Sequence, residues 1–232
     1  MSCLSIIQEA CRELAISVPN AAVTSNDQQV IQLLALLNTE GKSLTARPAE
    51  GWQAQQLEAT FTTVATEIQT SLVAIAPNLK YIIDDTIWNR TNRRPIYGPL
   101  SPQQWQNRKG WFAVGPYSQF RVAGGNIEFS PVPSAGESCY FEYVTKAWTA
   151  SGAESFASDG DTSLLDEELL KLGLIWRWKA AKGFDYAEAK VEYEDRVSQA
   201  IARDTPKSKL NLSKRQTGLP PLTVQESNFG GI

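Results

Sequence analysis

The residue types that carry most protein catalysis are scarce or missing in this chain. The 232-residue sequence contains no histidine and only three cysteines. Without imidazole, the Ser-His-Asp and Cys-His catalytic systems, His-ligated zinc and non-haem iron are excluded. Three cysteines cannot form a disulfide framework or a four-Cys metal site, so Cys3, Cys11 and Cys139 are expected to be buried free thiols. We therefore predict no catalytic residue, no metal ligand and no cofactor.

Glycine-rich and acidic motifs are the remaining candidates for chemistry. Residues 41–43 end like a phosphate-binding loop, but Leu36 stands where that loop requires glycine. Residues 159–161 begin like a calcium loop, but leucines occupy its later glycine and glutamate positions. Asp84 and Asp85 would point to opposite faces of a strand. We interpret these motifs as a helix end, a loop before a helix N-cap and ordinary surface carboxylates.

The strongest charge pattern is a basic interval at residues 86–127, which contains no acidic residue. Residues 151–203 show the reverse pattern, with 7 basic and 11 acidic residues. Three interpretations remain open: contacts with nucleic acid, assembly in which basic and acidic surfaces meet across a subunit boundary, and plain solvated surface. The net charge of −3 argues against a dedicated DNA binder. The basic residues are Arg90, Arg93, Arg94, Arg108, Lys109 and Arg121.

Helices are predicted at both ends of the chain. Apolar residues at 3-4 spacing predict a first helix over residues 4–18, and Ser25 with Gln28 forms a capping box for a second. Ser163 and Asp166 form the capping box of a third helix, whose end at Gly183 is followed by a fourth that Asp185 caps. The predicted core-facing residues are Leu4, Ile7, Cys11, Leu14, Val18, Val30, Leu33, Leu34, Leu37, Leu44, Leu165, Leu169, Leu172, Trp176, Tyr186, Ala189, Tyr193, Val197 and Ala200.

The middle of the chain is predicted to be rich in β structure. Alternation of apolar and polar residues predicts strands over residues 57–63, 79–88 and 139–144. Two adjacent glycines within residues 120–129 predict a tight hairpin. A short helical turn is predicted from Ser101 through Trp105 because proline occupies its first position.

These elements predict an α+β fold with three parts. Residues 1–50 and 155–203 form a four-helix bundle, because neither helical pair alone has two buried faces. Residues 51–154 form a β-rich insertion. Residues 204–232 contain proline and glycine but few large apolar residues, and such a segment cannot offset its own ordering entropy. We expect an extended C-terminal arm that orders only against a partner.

The run from Asp84 to Pro95, with residues 98–102 and Trp105 after it, resembles a family of phage proteins. Residues 141–144 and 174–178 share the resemblance. The pattern is similar to the head-to-tail adaptor, or connector, proteins of tailed bacteriophages, especially short-tailed ones. It covers about residues 1–203, so the arm lies outside it.

The resemblance implies a structural virion protein that is not an enzyme. Such proteins form a homo-oligomer ring, commonly a dodecamer, at the head-tail junction after assembly in the host cytoplasm. The implied partners are the portal protein, a tail hub or nozzle protein, and double-stranded DNA that passes through the channel without sequence recognition. No membrane partner is expected, since no stretch has the length of apolar residues that a membrane span needs.

Two other functions remain open alongside the adaptor. One is a carboxylate-dependent, tail-associated hydrolase, and the other is a sequence-independent DNA-binding module. Arginine and tryptophan dominate protein interfaces, although a tryptophan is more commonly a core residue. The candidate interface residues are Arg90, Arg93, Arg94, Trp105, Trp111, Lys207, Lys209, Lys214, Arg215, Leu219, Leu222 and Phe229.

Overall fold

The computed structural model describes residues 1–110 and 117–204 and confirms a mixed α+β chain. The helices are α1 (Cys3–Glu13), α2 (Gln28–Ala46), α3 (Leu72–Ile75), α4 (Pro102–Gly110), α5 (Glu167–Lys182) and α6 (Ala187–Asp204). The strands are β1 (Gln56–Thr62), β2 (Ile68–Ser71), β3 (Leu79–Ile82), β4 (Trp88–Asn89), β5 (Arg94–Pro95), β6 (Gln119–Ala123), β7 (Asn126–Ser130) and β8 (Ser138–Thr145).

The helices from the two chain ends share one hydrophobic core, here called the helical core. Helix α5 packs against α1, α2 and α6. Because three helices surround it, α5 buries side chains around much of its circumference, including Leu170, Leu174 and Trp178. The predicted stripe on α5 was therefore displaced from the observed one: Leu169 is buried, but Leu172 and Trp176 are only partly buried. Burial on α6 is narrower than predicted, with Tyr193 and Val197 buried and Tyr186 exposed.

Two helix starts and one helix end differ from the prediction. Asp27, not Ser25, caps α2, because its carboxylate accepts a hydrogen bond from the Gln29 amide at 2.9 Å. Asp166, not Ser163, caps α5 by the same contact with the Glu168 amide. Helix α1 ends at Glu13 rather than near residue 18. Val18 therefore lies outside the helix, and its side chain is exposed rather than buried. The predicted end of α5 at Gly183 is confirmed by its left-handed φ of 78°.

The strands form a second core, here called the β core, between two antiparallel sheets. Strand β8 pairs with β1 on one side and with β3 and β4 on the other, and β5 extends the sheet beyond β4. The second sheet has the order β2-β7-β6. Phe61 lies between Phe129 and Phe141, with ring centroids 5.9 and 6.2 Å away, so aromatic packing joins the sheets. The predicted hairpin is confirmed, with φ of 58° and 76° at Gly124 and Gly125.

The predicted long strand over residues 79–88 is wrong. Strand β3 ends at Ile82, Asp84 and Asp85 form a turn, and β4 begins only at Trp88. Asp85 has a left-handed φ of 59°, which an extended strand cannot contain. The turn lets β3 and β4 pair with successive stretches of β8. The short helical turn predicted after residue 101 is also longer than expected, because α4 continues to Gly110.

The segment between β8 and α5 connects the sheets to the helices. Trp148 is fully buried, its indole N–H donates to the Glu154 carbonyl, and its ring contacts Phe156. Residues 159–161 form a loop, as predicted, and the carbonyls of Asp159 and Asp161 accept hydrogen bonds from the first amides of α1. The N-terminus of α1 is thus capped by a segment about 160 residues later in the chain.

Candidate functional site

The most distinctive sequence run folds into a hairpin tip, which we call the arginine turn and define as residues 90–94. Asn89, at the end of β4, is buried and organises this turn. Its side-chain amide N–H donates to the Glu137 carboxylate, and its side-chain oxygen accepts from the Asn92 amide at 3.0 Å. The Arg90 amide also donates to the Ser138 carbonyl at 2.9 Å. The buried asparagine therefore fixes the arginines around it relative to β8.

Arg90 lies against the outer face of the sheet. Its guanidinium carbon is 3.6 Å from the ring centroid of Tyr140, and its Nη2 is 2.6 Å from Glu58 Oε2. Strand pairing places Trp88 opposite Tyr140 on the same face, and Trp88 is 38% exposed. This arrangement satisfies the positive charge of Arg90 within the chain.

Arg93 and Arg94 are exposed, as Arg90 is, but unlike Arg90 neither forms an ion pair within the described residues. Arg93 has a left-handed φ of 52°, a conformation unusual for a residue with a long side chain. Two adjacent guanidinium groups at a hairpin tip are available to carboxylates or phosphates of a partner.

The rest of the basic interval is partly neutralised by acidic residues outside it. Arg121 pairs with Glu128 at 2.6 Å, and Lys109 pairs with Glu67. Trp105 lies beneath this group, with the Arg121 guanidinium 4.4 Å from its ring centroid. Trp105 is only 1% exposed, so its prediction as a surface contact is corrected: in the folded chain it is a buried residue covered by cations.

A group of carboxylates lies beside the arginine turn and was not predicted from the sequence. Register places Glu58 directly opposite Glu142 on β1 and β8, and both line an open depression of about 240 Å³ with Asp85. Such cross-strand neighbours have Cβ atoms about 5 Å apart. The residues are 27 to 84 positions apart in the sequence, so strand register alone brings them together.

A second charged surface lies on the outer side of α6, which we call the acidic helix face. Glu188, Glu192 and Asp195 recur at helical spacing along it, and all three are exposed. Val191 lies between them and is 62% exposed. Ala187, Arg196 and Gln199 complete the lining of a surface depression along this helix.

The charges of the helical core are used differently. Glu40 is fully buried, and its carboxylate accepts hydrogen bonds from the Arg177 guanidinium and the Tyr193 hydroxyl. Burial and the neighbouring carboxylate raise the pKa of Tyr193 well above its usual range. At the rim of this group, Arg47 and Glu194 form a two-bond ion pair at 2.7 and 2.8 Å, which lowers the pKa of Glu194. These residues tie α2, α5 and α6 together.

All three cysteines are buried and free, as predicted. Burial raises the pKa of Cys3 and of Cys139 to about 12, and it raises that of Cys11 as well. A thiol with such a pKa stays protonated at neutral pH, which removes its nucleophilic and metal-binding form.

Several predicted interface residues lie outside the described residues. They are Trp111 and the arm residues Lys207, Lys209, Lys214, Arg215, Leu219, Leu222 and Phe229.

Membrane-spanning helices and metal-binding clusters are both absent from the part of the chain that the structure describes. None of the helices in residues 1–110 and 117–204 is long and apolar enough to cross a membrane. The same residues contain no group of three or more histidine, cysteine, aspartate or glutamate side chains arranged to hold a metal ion.

Comparison with known proteins adds one result to this geometry. A family model described as SU10 adaptor protein matches residues 1–223. The match extends past the helical and β elements into the first part of the predicted arm. A comparison with curated proteins finds no match.

Proposed function

The chain belongs to the SU10 adaptor protein family, and from that premise we propose that it forms a ring joining the portal vertex to the tail. Membership makes it a phage structural adaptor that associates with the portal and tail of the virion. The finer proposals are the ring of twelve copies, the continued DNA channel, the short-tailed type of phage, and action without catalysis. The observation that carries them is the family match over residues 1–223.

The distribution of charge supports a ring. A closed ring requires each subunit to present two different surfaces that fit each other, because its interfaces are heterologous. The arginine turn and the acidic helix face are two surfaces of opposite charge on different parts of the chain. DNA that passes through such a ring needs no base recognition.

We assign separate partners to the parts of the subunit. Residues 1–50 and 155–203, as a four-helix bundle, would contact the portal and neighbouring subunits, and residues 51–154 would face the tail hub or nozzle. Most buried apolar residues of each part lie in a core of its own, although Trp52 and Trp148 of the β-rich part pack in the helical core, and this lets the parts bind different partners.

We assign portal attachment to the arm. Residues 205–232 carry four basic residues and one acidic residue, together with scattered apolar residues such as Leu219 and Leu222. A segment of this composition orders on binding, so its ordering cost is met only when the portal is present. Subunits would then remain unassembled until a portal offers a template.

The main test is to mix the purified protein with its portal and to examine the product by native mass measurement and electron microscopy. We expect a closed ring of twelve copies on one face of the portal. A monomer that stays unbound at micromolar concentrations would contradict the proposal.

The arm is tested by truncation after Asp204. This residue should be kept, because its carboxylate accepts a hydrogen bond from the Gln53 amide at 2.9 Å. We expect the truncated protein to remain folded by circular dichroism and to lose portal binding. A matched full-length variant with Lys207, Lys209, Lys214 and Arg215 changed to serine separates the role of charge from the role of length. Normal portal binding by the truncated protein would reject this role of the arm.

The hydrolase alternative now has a specific location, since Glu58 and Glu142 face each other beside Asp85. Glycoside hydrolysis requires two carboxyl groups about 5–10 Å apart on either side of the scissile bond. Against it, Glu58 is paired with Arg90 and the depression is shallow and open. A cell-wall zymogram decides: a clearing band that Glu142→Gln abolishes would support the hydrolase.

The DNA-binding alternative depends on the exposed Arg93 and Arg94. A phosphate-binding surface must bind more tightly at low salt, because binding releases counterions. A mobility shift of duplex DNA at about 50 mM salt that Arg93→Ser/Arg94→Ser removes would favour this function.

A further inference from the structure

We infer that the arginine turn of one subunit docks on the acidic helix face of a second copy of this chain. The inference rests on the proposed ring and deepens it, because it names the two surfaces that meet. It concerns residues 90–94 on one copy and residues 187–199 on the other.

Helix α6 is packed on one side only. Its buried residues are Tyr193 and Val197, and the helix it contacts most is α5. The opposite side, the acidic helix face, consists of exposed residues over more than two turns. The outer side of an amphipathic helix in a monomer is normally polar. An exposed apolar residue on this side, Val191, therefore calls for an explanation.

Val191 is the residue that makes this side unusual. It is 62% exposed, and Glu188, Glu192 and Asp195 surround it at spacings of one, three and four residues. An apolar residue flanked by three carboxylates, with Arg196 also lining the depression, matches the aliphatic stem and charged end of an arginine side chain. A long cationic side chain could cover Val191 with its methylene groups while its guanidinium binds the acids.

The arginine turn supplies the complementary chemistry. Arg93 and Arg94 are exposed, and neither is paired with a described acid of its own chain, whereas Arg90, Lys109 and Arg121 are. The Asn89 hydrogen bonds hold the turn in one conformation before any partner arrives. A fixed turn loses less conformational entropy on binding than a flexible loop would.

A second copy fits these surfaces better than DNA does. Three carboxylates on α6 would repel phosphates, so DNA could occupy only the arginine turn and would leave the acidic helix face uncovered. Two different surfaces of opposite charge form a head-to-tail contact, which closes into a ring when the rotation between subunits permits.

Cross-linking between variants that each carry one added cysteine tests the contact directly. One variant carries Arg94→Cys and the other Val191→Cys, which leaves Arg93 and the three carboxylates in place. The native cysteines are buried, so a short bismaleimide should not reach them. We expect a covalent dimer when the two variants are mixed with portal, and at least about tenfold less when Ala135→Cys, an exposed control, replaces Arg94→Cys.

Charge exchange tests the energetics of the same contact. Arg93→Glu/Arg94→Glu and Glu188→Lys/Glu192→Lys should each reduce the yield of rings on portal by about tenfold or more, because like charges then meet. Combining both sets of changes in one chain should restore the yield to within about threefold of the original. Arg12→Glu, an exposed charge change on α1, is the control and should leave the yield unchanged.

The results separate this contact from the proposed function. Rings that form normally in every charge variant would overturn the contact and leave the ring intact, whereas absence of any ring would reject the proposed function itself. If the Glu188→Lys/Glu192→Lys defect is rescued by reversing Lys207 and Lys209 instead, the arm occupies the acidic helix face and the contact is overturned. The inferred contact would also be overturned if the added cysteines gave no cross-link and Arg93→Ser/Arg94→Ser removed binding of duplex DNA. That result would place DNA, not a second copy, at the arginine turn.

Discussion

The helical core and the β core place their charged residues differently. In the helical core, Glu40 is fully buried and is satisfied by Arg177 and Tyr193 from two other helices. Beside the β core, Glu128 is 8% exposed and pairs with Arg121, whereas Arg90 and Glu58 pair on the outer face of the sheet with about half of each side chain exposed. Charges that must be paired in the interior hold helices in register, whereas charges on the surface remain free to meet partners.

The largest effect should follow from breaking the buried group. Glu40→Ala removes the acceptor of both side chains, so the buried Tyr193 hydroxyl loses its partner and the partly buried Arg177 guanidinium loses its counter-charge. We expect the free energy of unfolding to fall by about 3–5 kcal/mol, measured by urea denaturation with circular dichroism.

The matched control is Glu188→Ala, an exposed carboxylate on α6, which should change stability by no more than about 0.5 kcal/mol. If Glu40→Ala and Glu188→Ala had similar effects, the contrast between buried and surface charges would be wrong.

Cysteine labelling compares the opening of the two cores. Cys3 lies in the helical core and Cys139 in the β core, and burial raises the pKa of each from 9.0 to about 12. At pH 8 both thiols are protonated and have no exposed surface in the native state, so labelling requires an opening of the core and should be much slower than that of an exposed thiol. Mass spectrometry during a urea titration will show which cysteine reacts first.

The raised thiol pKa values also predict a loss of stability in alkali. The unfolded chain releases these protons near pH 9, whereas the folded chain keeps them until about pH 12. The contribution is complete below pH 9 and falls as the pH rises through this window. Equal labelling rates for folded and unfolded protein at pH 8 would contradict both predictions.

A substitution at the junction of the two regions should have a smaller effect. Gly41 lies in α2, and a Cβ there would come within 2.4 Å of the Trp148 ring. Helix propensity alone predicts that Gly41→Ala adds about 1 kcal/mol of stability, but overpacking against a fully buried tryptophan costs about 1–3 kcal/mol. We expect a net loss, measured as a lower urea midpoint.

Gly110→Ala is the matched control because no atom of the residues that the structure describes lies within 4 Å of its added Cβ at the end of α4. It should be neutral or slightly stabilising. A stabilising Gly41→Ala would mean that Trp148 is free to move away from α2.

The smallest effect is expected on the outer face of the sheet. Arg90→Ala removes a partly exposed ion pair with Glu58 and a stacking contact with Tyr140, and together these contribute about 0.5–1 kcal/mol. The loss should diminish at about 1 M salt, because screening weakens the ion pair in the original protein. Arg90→Lys keeps the charge but not the planar stack on Tyr140. Its free energy of unfolding should therefore lie between those of the original protein and Arg90→Ala. A loss above about 3 kcal/mol would show that this surface pair is as structural as the Glu40 group.

Local patterns predicted the elements that depend on neighbours in the sequence. The period-two alternation predicted β1 and β8, the glycine pair predicted the turn between β6 and β7, and Gly183 predicted the end of α5. Caps were displaced by two or three residues, because Ser25 and Ser163 each precede an aspartate that also caps well. The strand predicted over residues 79–88 failed because its turn is made by a non-glycine residue, Asp85, which gives no strong signal.

The candidate site was predictable in composition but not in geometry. The basic interval at residues 86–127 and the acidic interval at residues 151–203 are visible as counts of residue types. The counts do not show which cations are paired: Arg121 pairs with Glu128 across the β6–β7 hairpin and Lys109 with Glu67 before β2, whereas Arg93 and Arg94 pair with no described acid. The burial of Trp105 and the pairing of Glu58 with Glu142 depend equally on contacts between distant segments.

The sequence by itself determined the absence of imidazole chemistry, the separation of helical ends from a β-rich middle, and the uneven distribution of charge. These properties depend on residue types and on periodicity over a few turns. Only the tertiary structure decided that Glu40 is buried with Arg177 and Tyr193, and that the arginine turn and the acidic helix face stay exposed. The physical reason is that burial and pairing depend on residues more than a hundred positions apart, whose meeting is fixed by packing of whole elements rather than by local preference.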